Sequence, residues 1–512
     1  MEIVLIKALQ LFLCLSLLVV LHEAGHFGFA KLFKTRVTRF YMFANYGFHL
    51  FSTYDNWFRR LFGKPLVTKR GNEGQNFFIW LRNKYYRLTQ QEDKIVTEGI
   101  GNKEYDEEAG TEYGIGWLPI GGYVAIAGMI DETHQTLSGE AKSWEFRSKK
   151  IWQRFLIMFG GVLMNLITAW IIYSLVLLFW GRDYIPMTSI ESGFQYNEQA
   201  HAIGFQDGDI PISADGKEIV EYNIGVVMRT ISNATIVTVQ RQGEEIDLKM
   251  PEEGLSMLKM IQAQPLFLAP LAEAFIDSVV PGSAAAKAGI ESGMRLVAVN
   301  GKDISTWADF DYVVTLRRQD VLSSPDCTAA DSLKWRTLNA VVATADLSRT
   351  DTLQLQLDEN YVMGVTRHIP DFKKVHLDYD FASCFPAGLN YGWRVLKNYV
   401  NDLKYVASVD GAKSVGSFIT IGNIFPSAWD WQQFWMLTAF ISIILAVMNI
   451  LPIPGLDGGH IVLLLYEGIT GRQPSEKAMV WIERIGLGIL TALMLLAFSN
   501  DIRNFILPLF GL

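Results

Sequence analysis

Charge is scarce in this 512-residue chain: Asp, Glu, Lys and Arg make up 19% of it, while 50% is hydrophobic and the mean hydropathy is +0.18. That balance excludes an ordinary soluble enzyme of this size and points to a membrane protein. An excess of positive charge is missing too. With a net charge of -8, a pI near 5.6 and Lys and Arg clustered locally, the chain lacks the broad basic field that nucleic-acid binding needs. Cysteine is rare. Cys14, Cys327 and Cys384 cannot all pair, and Cys14 lies in an apolar run, so no disulfide framework organises the fold, although a Cys327 to Cys384 bridge stays open.

Long apolar runs are what the chain has instead. Four of them, roughly 3 to 30, 154 to 180, 434 to 451 and 481 to 498, approach the length of about 20 residues that spans a bilayer. The first carries Glu2 ahead of a single Lys7, has no small-residue cleavage site and runs into His22, Glu23 and His26, so it reads as a retained span rather than a signal peptide. Lys31, Lys34, Arg36 and Arg39 follow that run, and Arg147, Lys149, Lys150 and Arg154 precede or open the second. The positive-inside rule then predicts that 31 to 153 is cytoplasmic, with both termini and 181 to 433 outside.

The external region repeats itself at an offset of 85 residues: Gly204, Gly208, Gly216, Lys217 and Ile219 recur as Gly289, Gly293, Gly301, Lys302 and Ile304. Asp215-Gly216 and Asn300-Gly301 are hairpin-turn signals, because both turn positions need positive φ. "PGSAAAKAGIESGMRLVAVNGKDI" resembles the signature of PDZ domains, and "AIGFQDGDIPISADGKEI" resembles a degenerate copy, in which Pro211 breaks a strand that Leu296 fills in the second. Two unrelated small β domains with shared turn chemistry are the plain alternative. Further on, Pro386 opens a stretch with Leu389, Trp393, Leu396, Tyr399 and Leu403 at helical spacing, which predicts an amphipathic helix packed against the membrane or the modules.

On the cytoplasmic side, residues 45 to 111 mix Trp57, Phe58, Phe77, Phe78, Trp80, Tyr85 and Tyr86 with Arg59, Arg60, Lys64, Arg82, Lys84 and Arg87, which suits an anionic leaflet or a small globular insertion. Next, Tyr113, Ile115 and Trp117 stand at period 2, followed by a Leu-Pro-Ile-Gly-Gly turn and then Tyr123, Ala125 and Ala127 at period 2. This predicts an apolar β-hairpin dipping into a protein-lined cavity or resting at the interface. Its unpaired edge, around Gly121, Gly122, Tyr123 and Val124, can pair with an extended peptide; a plain structural hairpin is the alternative.

In "LHEAGH" on the first run, His22 and His26 are four apart and share one helix face, about 6 Å apart along the axis, where two imidazoles can converge on one metal. Glu23 sits beside that face, in the general-base position of HExxH metalloproteases. Interfacial histidines capping a span are the alternative, but a charged group near the bilayer centre costs about 2.5 to 3.5 kcal/mol and asks for a reason. Two histidines leave a zinc site one protein ligand short. The best further candidate is Asp457, set in an apolar run that Pro452, Pro454, Gly455, Gly458 and Gly459 must break; broken backbone at membrane depth persists only where it lines a polar cavity. Capping of the following helix is the other use for Asp457. His460, three residues on, is read as supporting the site rather than ligating.

These separated motifs resemble the intramembrane site-2 proteases, and within them the bacterial, RseP-type branch with tandem PDZ modules. His22, Glu23 and His26 match HExxH; Asn449, Pro452, Leu456, Asp457 and Gly458 match N-x-x-P-x-x-x-L-D-G; Gly121 and Gly122 match the hairpin; and "GGVLMNLITAW", with Asn165, looks like the family's second-span pattern. The long insertion, and Ser417 where a Gly-Pro pair is usual, depart from it. The resemblance implies one zinc ion bound by His22, His26 and Asp457, Glu23 as base, and a substrate held by Asn449, the hairpin and Asn165. It implies cleavage of single-span membrane proteins, such as an anti-sigma factor or remnant signal peptides, in a bacterial inner membrane, with the PDZ modules external and filtering substrates by size. A non-catalytic PDZ scaffold and a metal transporter are the rivals.

The expected fold is therefore a polytopic α-helical membrane protein of about four spans with a membrane-associated β-hairpin and two external PDZ-like α+β domains. Its segments are a first span (1–33), a cytoplasmic region (34–153) with the insertion 45–111 and hairpin 112–129, a second span (154–180), PDZ-like domains at 182–265 and 266–370, an amphipathic linker (371–433), a broken third span (434–465) and a fourth (481–498).

Overall fold

The computed structural model describes residues 2–62, 77, 80, 81, 84, 85, 110–118, 121–129, 141–252, 254–263, 265–322, 329–358, 361–368, 372–406, 416–473, 475–503 and 507. Most of the expected insertion lies outside these residues, as does Cys327; Cys14 and Cys384 are buried. The chain divides into two units, Met1–Gly181 with Asp378–Leu512, and Arg182–Leu377.

The first unit is built on helices α1 (Glu2–Leu32), α2 (Ile151–Trp180), α3 (Cys384–Val406), α4 (Phe418–Ile424), α5 (Trp431–Ile450), α6 (Asp457–Thr470) and α7 (Glu476–Asp501). Among the described residues, four helical stretches are long and apolar enough to cross a membrane: α1, α2, α5 and Ala478–Asp501 of α7. Where α1 crosses α2 the backbones nearly touch, because a Cβ on Gly25 would lie 2.2 Å from the Gly160 carbonyl oxygen and one on Gly160 would lie 2.6 Å from that of Gly25. Small residues are what let membrane helices approach this closely. On the other side of α2, Ala169, Tyr173 and Val176 pack with Ala439 and Ile443 of α5 and with Leu396 and Tyr399 of α3. The apolar stripe expected along α3 thus divides: Leu396, Tyr399 and Leu403 face the bundle, whereas Leu389 and Trp393 are exposed.

Between α1 and α2 lies a four-stranded sheet of β1 (Val37–Met42), β2 (Ala44–Ser52), β3 (Glu112–Leu118) and β4 (Tyr123–Ile126), in the order β2-β3-β1-β4. This corrects the expected hairpin. β3 and β4 do not pair with each other; β1 lies between them, parallel to β3 and antiparallel to β4. Four linking residues span up to about 13 Å, enough to pass over one strand when strands are about 4.8 Å apart, so the turn composition could not tell a hairpin from a split pair. β2 also moves the expected insertion boundary, since residues from 45 onward begin as a strand of this sheet. The alternation on β3 is real but faces the other way: Glu112, Gly114 and Gly116 are the buried set, and Tyr113, Ile115 and Trp117 are part-exposed. The Tyr41 ring and the Ala44 backbone fill the space that side chains at Gly114 and Gly116 would need.

The second unit holds two buried cores, one around Phe194, Val227, Val237 and Phe267 and one around Ile276, Leu296, Phe310 and Leu338. Each has a four-stranded sheet in the same order: Glu244–Lys249, Ile236–Arg241, Ile210–Ala214, Lys217–Glu218 in the first, and Thr350–Gln356, Thr337–Ala343, Arg295–Val299, Lys302–Asp303 in the second. Asp215 and Gly216 have φ of 47° and 74°, and Asn300 and Gly301 have 51° and 78°. Pro211 does not break its strand. It sits at an irregularity in the pairing with Ile236–Arg241, where a missing N–H costs no regular ladder bond, and the second copy has a like irregularity between Leu296 and Ala298.

Candidate metal centre

α1 is the scaffold for two imidazoles one helical turn apart. His22 Nε2 and His26 Nε2 are 3.2 Å from each other, and Oδ2 of Asp457 is 3.3 Å from the first and 3.4 Å from the second. Asp457 arrives from the far end of the chain because α5 stops at Ile450 and α6 begins only at Asp457. Gly455 takes a φ of +89°, and any side chain at Gly458 would strike the carbonyls of Ile450 and Leu451 at 2.5 and 2.1 Å. The break therefore depends on glycine as much as on proline. Capping does not account for Asp457: the cap position of α6 is Leu456, and no side chain caps it.

The three ligand-type atoms fit a zinc ion. Bonds of about 2.0–2.1 Å to a tetrahedral ion put ligand atoms about 3.3–3.4 Å apart, against the 3.2 to 3.4 Å found. Asp457 Oδ2 is buried with no hydrogen-bond donor, which costs a carboxylate several kcal/mol by about the usual reckoning unless a cation meets it. His26 is correctly poised: its Nδ1–H donates to the Ile157 carbonyl at 2.8 Å, leaving the Nε2 lone pair for a metal.

Two residues of α2 fit around His22, one by a hydrogen bond and one by leaving room. The Asn165 amide lies 3.2 Å from His22 Nδ1, and Asn165 Oδ1 is buried without a partner. With the amide turned so that Oδ1 accepts from Nδ1–H, both groups are satisfied and Nε2 is again free for a metal. Asn165, expected as a substrate contact, is fully buried (0% exposed) against the His22 imidazole. The second residue is Gly161, which the sequence reading did not single out. A Cβ there would lie 2.4 Å from His22 Cε1 and 2.4 Å from His26 Nε2. The paired glycines 160 and 161 were its only signal.

Around this triangle the other candidates fall into place. Asn449 Nδ2 is 3.3 Å from His22 Nε2, on the side of the ligand atoms. Glu23 is hydrogen-bonded by the Val124 amide of β4, and the Gly122 position leaves only 3.5 Å between a would-be Cβ and Glu23 Cγ. β4 is an edge strand. Because Ala127 N–H donates to the Arg36 carbonyl, alternation turns the N–H groups of Val124 and Ile126 to the free edge. Tyr123 opens β4 with its ring stacked on Tyr41 at 5.4 Å and its hydroxyl donating to Asn45; burial pushes its phenol up to about 12, so it stays a neutral donor. Gly121 takes a φ of +72° and has open space around it. His460 stands apart from the triangle, in the wall of a cavity of about 210 Å³ that Arg154, Gly459 and Glu467 also line.

The pattern of peptidase family M50 matches residues 98–493, more than half of the chain. The chain belongs to peptidase family M50, the site-2 proteases. Asn165, Asn449 and Asp457 fall within the match, while His22, Glu23 and His26 precede it. Curated relatives agree. "Protease RseP" of Yersinia pestis is 27% identical over 416 residues, covering 77% of this chain and 88% of the relative. "Regulator of sigma-E protease RseP" of Escherichia coli K12 is 26% identical over 427 residues, covering 77% and 88%. A "putative zinc metalloprotease" of Xylella fastidiosa (strain Temecula1) is 25% identical over 421 residues, covering 77% and 87%. This M50 member is accordingly a zinc-dependent metallopeptidase.

Substituting Gly161→Ala tests the fit without touching a ligand. Its methyl group displaces imidazoles that Ile157 and Asn165 hold in place, and zinc affinity by chelator competition should fall at least about tenfold, as for residues supporting a metal's ligands. Unchanged affinity would show that the rings can yield.

Proposed function

We propose that this M50 peptidase binds one zinc ion through His22, His26 and Asp457 and hydrolyses peptide bonds in or near the membrane-spanning segments of other proteins. The observation that carries the reading is the 3.2 to 3.4 Å triangle of ligand-type atoms between α1, a helix long and apolar enough to cross a membrane, and the start of α6, beside the edge strand β4. Zinc at this position supplies a Lewis acid that polarises the scissile carbonyl and makes water acidic enough to attack near neutral pH. Glu23, held by the Val124 amide, takes the attacking water's proton and passes it to the leaving amine. A helical substrate hides its carbonyls, so it must unwind first; with the Val124 N–H engaged by Glu23, Ile126 offers its edge N–H to the extended segment, and Asn449 offers an amide donor to a carbonyl beside the site. Unwinding favours substrates with Gly, Pro, Ser or Asn in their spans. Asn165 and Gly161 serve the ligands.

The likeness to RseP-named relatives and the basic residues of 31 to 153 support a bacterial inner membrane, with the sheet cytoplasmic and Arg182–Leu377 external. Single-span membrane proteins are the substrates in this reading; an anti-sigma factor and signal-peptide remnants fit it equally well. The two repeated halves of the second unit are read as PDZ-like modules. Both ends of that unit continue into the membrane unit, at Gly181 and Asp378, and this double tether supports a size filter that excludes substrates still carrying a folded external domain. One observation favours capture of a substrate C-terminus instead: a cavity of about 570 Å³ between helix Trp307–Leu322 and the segment before Leu268–Pro270, lined by Tyr196, Leu266, Ala308 and Val314.

Three experiments test these points. Glu23→Gln should keep zinc and lose proteolysis, which neither a scaffold nor a transporter explains, while Asp457→Ala should lose zinc by elemental analysis; full retention would remove Asp457 from the ligand set. Proline at Ile126 should abolish cleavage with zinc content unchanged, whereas proline at Val124 should do so also by removing the donor to Glu23; normal cleavage by the Ile126 variant would show that the edge is not used. Under the filter, substrates with different short external C-termini are cut at similar rates, a fused folded domain blocks cutting, and deletion of 182 to 370 releases it. Strong dependence on the last residues with no effect of bulk would favour capture.

A further inference from the structure

α6 presents Ile461, Leu464 and Glu467 to α2, and α2 answers with Met158 and Arg154. Arg154 donates to Glu467 through both terminal nitrogens, Nη1 to Oε2 at 3.0 Å and Nη2 to Oε1 at 2.6 Å, and Gln473 Nε2 adds a third bond at 3.0 Å. Both side chains are buried, at 8% and 11% exposure. The opposite side of α6 is bare: Val462, Leu465, Tyr466 and Ile469 are exposed. In a bilayer the apolar contacts of Met158 with Ile461 and Leu464 do little to fix the axial position of α6, because lipid chains are as apolar as the neighbouring helix. A forked, two-bond ion pair does fix it, in distance and in plane.

Glu467 lies ten residues, about 15 Å along the helix, from Asp457 at the other end of α6. A slip of one residue along the axis moves Asp457 by about 1.5 Å, while a metal bond tolerates about 0.2 Å. We propose that Arg154 and Glu467 are positioning residues of the metal centre: the pair sets the register of α6 on α2 and so holds the Asp457 carboxylate in the ligand triangle. A buried polar pair used to select one register, rather than to add stability, is the best-supported use of such pairs. The inference rests on the reading of Asp457 as a metal ligand.

The test is zinc affinity of the full-length protein in detergent, by competition with a chromogenic chelator, beside thermal unfolding. R154L/E467L removes both charges, and replacing a buried pair with apolar residues usually leaves folding intact. It should unfold near the wild-type temperature yet bind zinc about 10- to 100-fold more weakly. Glu467→Gln, which keeps the shape but loses the charge, should weaken binding too, and the exchanged pair R154E/E467R should recover most of the loss. Wild-type affinity in R154L/E467L overturns the proposal, as does an exchanged pair as weak as Glu467→Gln. Asp457→Ala separates the two levels: if it keeps zinc, the ligand reading fails; if it loses zinc while R154L/E467L keeps it, only the register role fails.

Discussion

A carboxylate oxygen with no donor, set against two imidazoles inside an apolar helix bundle, is the constraint on which the rest of the membrane unit depends. Asp457 can reach that point only if the third span stops and restarts, and the restart must bring backbone within contact of backbone. Gly458 and Gly459 allow it, since any side chain there would meet the carbonyls of Leu451 and Ile453 at 2.1 and 2.7 Å. The imidazoles impose the same demand on α2, which must pass so close that position 161 has no room for a methyl group. Each histidine then needs its second nitrogen satisfied, by the Ile157 carbonyl for His26 and the Asn165 amide for His22. Glycine, a broken helix and two polar second contacts are all consequences of one buried polar cluster.

What was legible in the sequence follows from range. His22, Glu23 and His26 lie within one helical turn, so their geometry is set by the 3.6-residue period and is visible without any fold. Asp457 was legible for another reason: an acid among prolines and glycines in an apolar run is costly unless something meets it. Asp215-Gly216 and Asn300-Gly301 were readable because positive φ is a local demand. The contents of β3 and β4 were also local, but their partner was not. β1 is separated from them by the whole insertion, and nothing in the Leu-Pro-Ile-Gly-Gly turn says whether a third strand fits between. Gly161, the support given by Asn165 to His22, and the Arg154 to Glu467 pair were out of reach, because each joins segments far apart in the chain.

The sheet shows how one strand serves two purposes. β4 gives its inner edge to β1, and its outer edge, unpaired by any described strand, carries the Val124 N–H that meets Glu23. The order β2-β3-β1-β4 matters here. A two-stranded hairpin would be marginal by itself, whereas three strands behind β4 hold its free edge steady. Behind it a buried polar set helps: Glu112 accepts from the hydroxyls of Tyr41 and Ser52, and Tyr41 stacks on Tyr123 at the start of β4. Ser52 comes from β2, so the first part of the insertion is a working part of the sheet and not an appendage to it.

The two units also obey different rules for choosing one arrangement over its neighbours. In Arg182–Leu377 two apolar cores, withdrawn from water, specify the packing of each half. In the membrane unit apolar contact discriminates less in that way, and polar contacts between distant segments add specificity. Ser442 donates to the Asn165 carbonyl at 2.8 Å, joining α5 to α2; Gln10 donates to the Pro426 carbonyl at 3.0 Å, joining α1 to the segment after α4. α7 is the extreme case. Its outer residues Leu487, Met494 and Leu495 are exposed, yet Asp501 at its end is fully buried and accepts from the backbone and hydroxyls of Ser417 and Thr420. Ser417 gives this contact both a backbone N–H and a hydroxyl, donors that a proline at the same position would lack. Ser417 and Thr420 thus tie the end of α7 to the start of α4.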